Sequence, residues 1–437
     1  MQVRTLLPFG VHIARKLFCI TFNKWSLSLL LAMVVNSPTA RAQQSNGADA
    51  DKQTIQMLLQ RIDKLESQVA RLNAAVQQTP PAAPATGTQP SPAPTETQIE
   101  MESEMQPEAA AVDFSKTLLR IRGFADIDLH GDNRKGDTTS FTLGQLNLFV
   151  TSDISEKFKF LSEIVFEAGR DNAFGVDLER YLLLYSHSDY FNLAIGRYHT
   201  AIGYYNTAYH HSTWLQTATG RPFLFLFEDQ GGILPIHNVG VSASGLIPSG
   251  PLGLHYVAEV GNGRASRSPQ SEAVQNVVDE NNHKAVNLAL FARPEHARGL
   301  QLGFSVYRDL LTPANAPTIG ETIFATHAVF VRPTFEWLNE FLVIRHAPMG
   351  SRVFDTPGFY TQVSKLFGSY RPYFRYQYVN AANSEPVFPQ VGLQQGPSVG
   401  VRYNASEFVA FKLQYDYTAL RRQAAVNGLT LQAGFTF

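Results

Sequence analysis

From about Val112 to Phe437 the chain alternates apolar and polar side chains in short runs, and in many runs the polar partners are charged. In the first run Leu119, Ile121, Gly123, Ala125, Ile127 and Leu129 fall on one face, with Arg120, Arg122, Asp126, Asp128 and His130 on the other. Phe158, Phe160, Ile164 and Phe166 oppose Lys159, Glu163 and Glu167 in the same way. Extended strands with this period carry one apolar and one charged surface. A charged surface cannot be the core of a soluble sheet, but it suits a water-filled lumen whose outer side meets lipid. The last nine residues, LTLQAGFTF, keep the pattern, with Phe435 and Phe437 on the apolar face. About sixteen such runs can be counted, and a closed antiparallel barrel needs an even number. The expected fold is therefore all-β, a transmembrane antiparallel β-barrel of about 16 strands spanning residues 112–437. Tyr376, Tyr378, Tyr403, Tyr415 and Tyr417 near strand ends fit the aromatic girdles of membrane interfaces.

Composition narrows the function classes. A formal net charge of -1 leaves no electrostatic footprint for nucleic acid. The one Cys, Cys19, lies ahead of the expected cleavage point described next, so thiol catalysis and Cys-ligated metals drop out. No H-E-x-x-H pair occurs, and His and Ser residues are scattered along the chain, so no enzyme and no cofactor are expected. A barrel enzyme of the phospholipase or protease kind is the weaker alternative.

The segment before the barrel has three parts. Residues 1–42 read as a secretory signal: Arg15, Lys16 and Lys24 are basic, 27–35 is apolar apart from Ser28, and Ala40-Arg41-Ala42 has the small-x-small form of a cleavage site. The apolar run is about half of the ~18 residues a membrane span requires. Residues 43–78 contain a heptad seam, with Ile55, Ile62, Val69 and Val76 alternating with Leu58, Leu65 and Leu72. Such a helix is stabilised mainly by burying its seam against other copies, and β-branched residues alternating with Leu favour two strands in isolation. Residues 79–111, rich in Pro and then in Glu, lack the side chains to bury a core and read as an extended tether.

One connection breaks the strand rhythm. Residues 198–237 are rich in His, Tyr and Gly, and a compact domain seldom carries so long a connection without a use. Inside a barrel its natural place is the lumen, with Tyr204, Tyr205, Tyr209, His210, His211 and Arg221 at a constriction; an outside loop against a neighbouring subunit is the alternative. Adjacent His210 and His211 diverge on a strand, which argues against a metal pair. The alternating Phe223, Phe225 and Phe227 also suit a subunit contact.

Signal, coiled coil, Pro-rich tether, the GRYHTAIGYYN segment after a strand and the terminal AGFTF together resemble trimeric bacterial outer-membrane porins, and among them the phosphate-selective porin O and P barrels. The resemblance implies an outer-membrane location, a homotrimer, an inward-folded third loop and passive diffusion of small solutes or ions. It also implies that Phe435 and Phe437 signal to the barrel-assembly machinery, and it places the coiled coil in the periplasm, within reach of peptidoglycan. Phosphate selectivity is not carried over. The inner face bears Arg120, Arg122, Lys159, Arg293, Arg375, Arg402 and Lys412, but also Asp126, Asp128, Glu163, Glu167, Glu259, Glu336, Glu340 and Asp416, and mixed signs do not build an anion ladder. A structural or adhesive envelope protein, with a plugged barrel and a working coiled coil, is the second functional reading.

Overall fold

The computed structural model describes residues 118–169, 173–209, 213–227, 230–265 and 277–437. The expected signal, coiled-coil seam and tether lie outside the described residues, as do His210 and His211. The described chain forms a closed barrel of sixteen antiparallel strands, β1 (Leu118–Asp132) to β16 (Val426–Thr436), each bonded to its sequence neighbours. The last strand closes on the first, pairing Ala125 with Phe435, Ile127 with Ala433 and Leu129 with Leu431. Closure leaves no unpaired strand edge, which is what permits β structure in lipid.

Short turns such as 154–157, 189–190 and 333–334 gather at one rim. Longer connections, among them 133–139, 200–236, 262–284 and 381–392, gather at the other. At the turn rim Phe437 and Gly123 exchange both backbone hydrogen bonds at 2.9 Å. The Phe437 ring lies over Gly123, where a Cβ would collide with it.

The outer face is apolar as the alternation requires. On β11 (Phe335–Pro348), Trp337 and Phe341 are 39% and 47% exposed, while the residues that follow each, Leu338 and Leu342, are buried. Tyr415 and Tyr417 are exposed, Tyr376 and Tyr378 stack against Phe359, and Tyr403 stacks on Tyr370. The inner face departs from a simple polar lining. On β10 (Ile319–Arg332) and β11 the inward Ile319, Ile323, Val329, Leu338, Leu342 and Ile344 are as apolar as the outward residues, and they belong to a core enclosed by the barrel. Their partners are Ile202, Leu224, Phe225, Phe227, Ile233 and Leu234 of the 200–236 connection. Phe225 and Phe227, read as a subunit contact, are buried inside the barrel, because the apolar wall of β10 and β11 takes them up.

Several strands run longer than their sequence pattern suggests. β12 (Phe354–Lys365) and β14 (Leu393–Asn404) each contain a Pro, Pro357 and Pro397, that reads as the end of a strand. In β4 (Phe174–Ser188) the pairing with β3 (Phe158–Ala168) shifts so that Glu163 meets Arg180 and Ile164 meets Leu178. Glu179 is the extra residue of a bulge.

If the outer face meets lipid, a charge there is costly. Leu431→Arg, facing Leu129 and Leu413 at mid-strand, is expected to cost about 2–4 kcal/mol, with Leu431→Met near neutral. Urea unfolding in liposomes measures this, and a Leu431→Arg barrel as stable as wild type contradicts the assignment.

Candidate functional site

The connection 200–236 lies inside the barrel, and its irregular backbone sets the chemistry of the wall. Among its described residues regular structure is limited to short pieces, a one-turn helix (Tyr205–Ala208) and 3-10 turns such as Phe223–Phe225, so most of the N–H and C=O groups need partners from elsewhere. Inward side chains provide them, sorted by role. Glu259 of β7 (Leu254–Gly261) accepts from the Ala201 N–H at 3.0 Å. Glu340 accepts from the N–H groups of Tyr204 and Tyr205 at 2.6 and 2.9 Å and from the Tyr360 hydroxyl at 2.7 Å. Gln377 and Gln414 accept from Phe223 and Thr219.

Donors meet the carbonyls. Arg375 donates to Gly220 at 2.8 Å, Arg402 to Trp214 and Gln216, and Lys412 to Thr213 and Ala218. Gln432 donates to Thr219, and Asn287 to Ala201. Gly203 adopts φ +71°, and a Cβ there would collide with Glu340 and stand 2.9 Å from the Phe225 ring, so only glycine lets the chain turn onto this acceptor.

Arg375 and Arg402 are thus anchors for the connection. Arg375 is 1% exposed and is held from behind by Gln362. Tyr205 and Arg221 are also buried. Tyr205 stacks on Phe225, and Arg221 lies over Phe227 at 4.2 Å while bonding Tyr209 and Phe225 carbonyls, which staples the connection to itself. Tyr209 donates to Glu336 at 2.6 Å. Burial, and then the Glu336 carboxylate, push its phenol well above the usual range, so it stays a neutral donor. Over the loop rim, Arg264 donates to the Ile233 carbonyl at 2.8 Å and pairs with Glu321 at 3.5 Å. His346 bridges Glu321 and Glu385, tying in the 381–392 connection.

The wall of β1 to β4 carries a second set of charges. Arg120, Arg122 and Lys159 are exposed on its inner face near the turn rim, with Asp153 3.4 Å from Arg120 and 3.6 Å from Lys159. Farther along β1, towards the loop rim, come Asp126 and Asp128. Asp126 accepts from the Gln145 N–H at 3.0 Å, and Gln145 in turn donates to Glu167. Between the two groups Arg180 pairs with buried Glu163 at 2.6 Å and lies over Phe149. Behind them Glu179, turned inward by the bulge, pairs with His237 at 2.7 Å. The seat residues Glu259, Glu336, Glu340 and Lys412 are legible in sequence as inward charges. Gln377, Gln414, Gln432 and Asn287 are not singled out by it, since an inward amide carries no signal beyond its place in the alternation.

No family model matches the chain, and no curated protein matches it in sequence. Solved structures do match in shape. An anion-selective porin from Comamonas acidovorans superposes with a TM-score of 0.53 at 11% identity, covering 74% of this chain and 100% of that one. The barrel has the porin fold. The outer membrane channel DcaP of Acinetobacter baumannii gives 0.54 at 11% identity over 74% and 98% of the two chains. OmpF of Salmonella typhi, in complex with daunomycin, gives 0.51 at 9% identity over 73% and 97%. At these identities the likeness establishes the porin fold and leaves the site to be read from its own residues.

Glu340→Ala orphans two buried N–H groups and a phenol, at an expected cost of about 1–3 kcal/mol. Limited proteolysis checks it: residues 200–236 should become cleavable while the barrel stays intact, and a connection as resistant as in wild type would contradict the anchoring role.

Proposed function

We propose that the chain is an outer-membrane porin that lets small hydrophilic solutes or ions diffuse passively through the barrel, with no bond made or broken. One observation carries the reading: inside a closed barrel with an apolar exterior, a long connection is bonded to the walls of β7 and β11 to β16, while the β1 to β4 wall keeps Arg120, Arg122 and Lys159 in water. A structural filler has no need of exposed charges on one wall. A hydrated solute, by contrast, needs polar groups to replace part of its hydration as it passes.

On this reading the path runs between the connection and β1 to β4. It meets cationic side chains near the turn rim and the partly exposed carboxylates Asp128 and Glu167 nearer the loop rim, with the Arg180–Glu163 pair between them. Width and charge at that pair set which solutes pass. The turn rim is periplasmic, in keeping with the short turns and long loops of outer-membrane barrels. Copies assemble as a trimer, and the coiled coil and tether are periplasmic.

Purified protein in planar bilayers should give stepwise single-channel conductance. A protein that is folded, as judged by heat-modifiable gel mobility, yet electrically silent would overturn the porin reading.

A further inference from the structure

Beneath the first turn of the 200–236 connection, the walls of β6 (His237–Ile247) to β10 border a chamber of about 590 Å³. Pockets for small organic ligands run from about 300 to 1,000 Å³. A second hollow of about 630 Å³ shares Tyr204, Arg293 and Gln301 with it and reaches the turn rim at Glu295 and Arg298. Arg293 therefore stands at the junction of the two. Its guanidinium lies over Phe291 at 4.9 Å, and Phe291 stacks on His255 at 4.9 Å with planes 9° apart. Nε donates to Gln301 at 2.8 Å, which fixes the plane of the fork. No carboxylate pairs with this guanidinium among the described residues. The cation is held in place and exposed to the chamber, whose lining carries one carboxyl group, Asp189, with which it forms no ion pair.

Two further groups lack partners. Gln301 Nε2 donates to His327 Nε2 at 3.0 Å, which leaves His327 Nδ1 to carry the proton, and that atom is buried with no acceptor. Ser305 Oγ is likewise buried and unbonded. Both residues are more than nine-tenths buried and line the chamber. Buried polar atoms are normally bonded, and an unbonded pair beside a cavity marks where a ligand atom can be accepted.

We propose that this chamber binds a small aromatic carboxylate. The planar Arg293 fork matches a carboxylate in bidentate fashion. A single cation suits a monoanion better than a phosphate dianion. Tyr204, Ala201 and Ala289 offer an apolar surface for the body of such a ligand, and His327 and Ser305 add polar side chains to the lining. The site needs only the folded barrel, so it stands or falls separately from conduction.

The test uses the full-length protein in detergent, with sodium benzoate, neutral benzamide and inorganic phosphate as probes, read by saturation-transfer NMR and calorimetry. Benzoate should bind saturably. Benzamide, and benzoate on Arg293→Gln, should bind roughly tenfold or more weakly, as loss of a charge-assisted bond implies. Phosphate should not displace benzoate. Heat-modifiable mobility reports whether Arg293→Gln folds; if it does not, the benzoate and benzamide comparison on wild type decides alone. Equal binding of the two probes, unaltered affinity in a folded Arg293→Gln, displacement by phosphate, or no saturable binding would each overturn the proposal. A silent channel that binds benzoate would sink the porin reading and leave the chamber standing.

Discussion

An irregular segment placed inside a barrel brings backbone N–H and C=O groups into a space where unbonded ones are costly. That constraint organises the interior of this protein. Carboxylates and amides of the wall, Glu259, Glu340, Gln377 and Gln414, take the N–H groups of the 200–236 connection. Arg375, Arg402, Lys412 and Gln432 serve its carbonyls. Burying cations such as Arg375 and Lys412 would be prohibitive in an apolar core, and it is tolerable here because each meets carbonyl oxygens in place of water. The seat extends around most of the barrel, which is why a segment with so little secondary structure has one position.

The apolar part of the connection works with this polar seat. Leu224, Phe225 and Ile233 pack on Ile323, Leu338 and Leu342, so β10 and β11 carry apolar residues on both faces, those on the inner face interspersed with polar seats such as Glu336 and Glu340. The barrel interior is thus divided. Its β11 to β16 side is occupied and bonded, its β6 to β10 side borders the chamber at Arg293, and its β1 to β4 side keeps charges in contact with water near the turn rim. Arg120, Arg122 and Lys159 can interact with a passing solute because no backbone of the described residues claims them.

Much of the fold was legible in sequence. The period-two alternation of Leu119 to Leu129, and of its counterpart in the last strand, names both the strands and their outward faces, and the closed sixteen-strand barrel follows from it. Strand ends were less legible where Pro357 and Pro397 lie within β12 and β14. The β4 bulge was not legible at all, because two residues facing one is a property of the pair of strands. Nor could the alternation separate anchors from water-facing charges: Arg122 and Arg402 both read as inward cations. What distinguishes them is which wall the connection lies against, a tertiary fact. Phe225 illustrates the same gap, since an apolar run in a loop is equally suited to a neighbouring subunit and to the barrel's own interior.

That division of the lumen is the central claim, and reversal potential in a salt gradient tests it most directly. Arg122→Glu, on the water-facing wall, should shift the reversal potential towards cation preference while residues 200–236 remain protease-resistant. A reversal potential unmoved by Arg122→Glu in a conducting channel would contradict the account, because the passing ions would then not be travelling along β1 to β4.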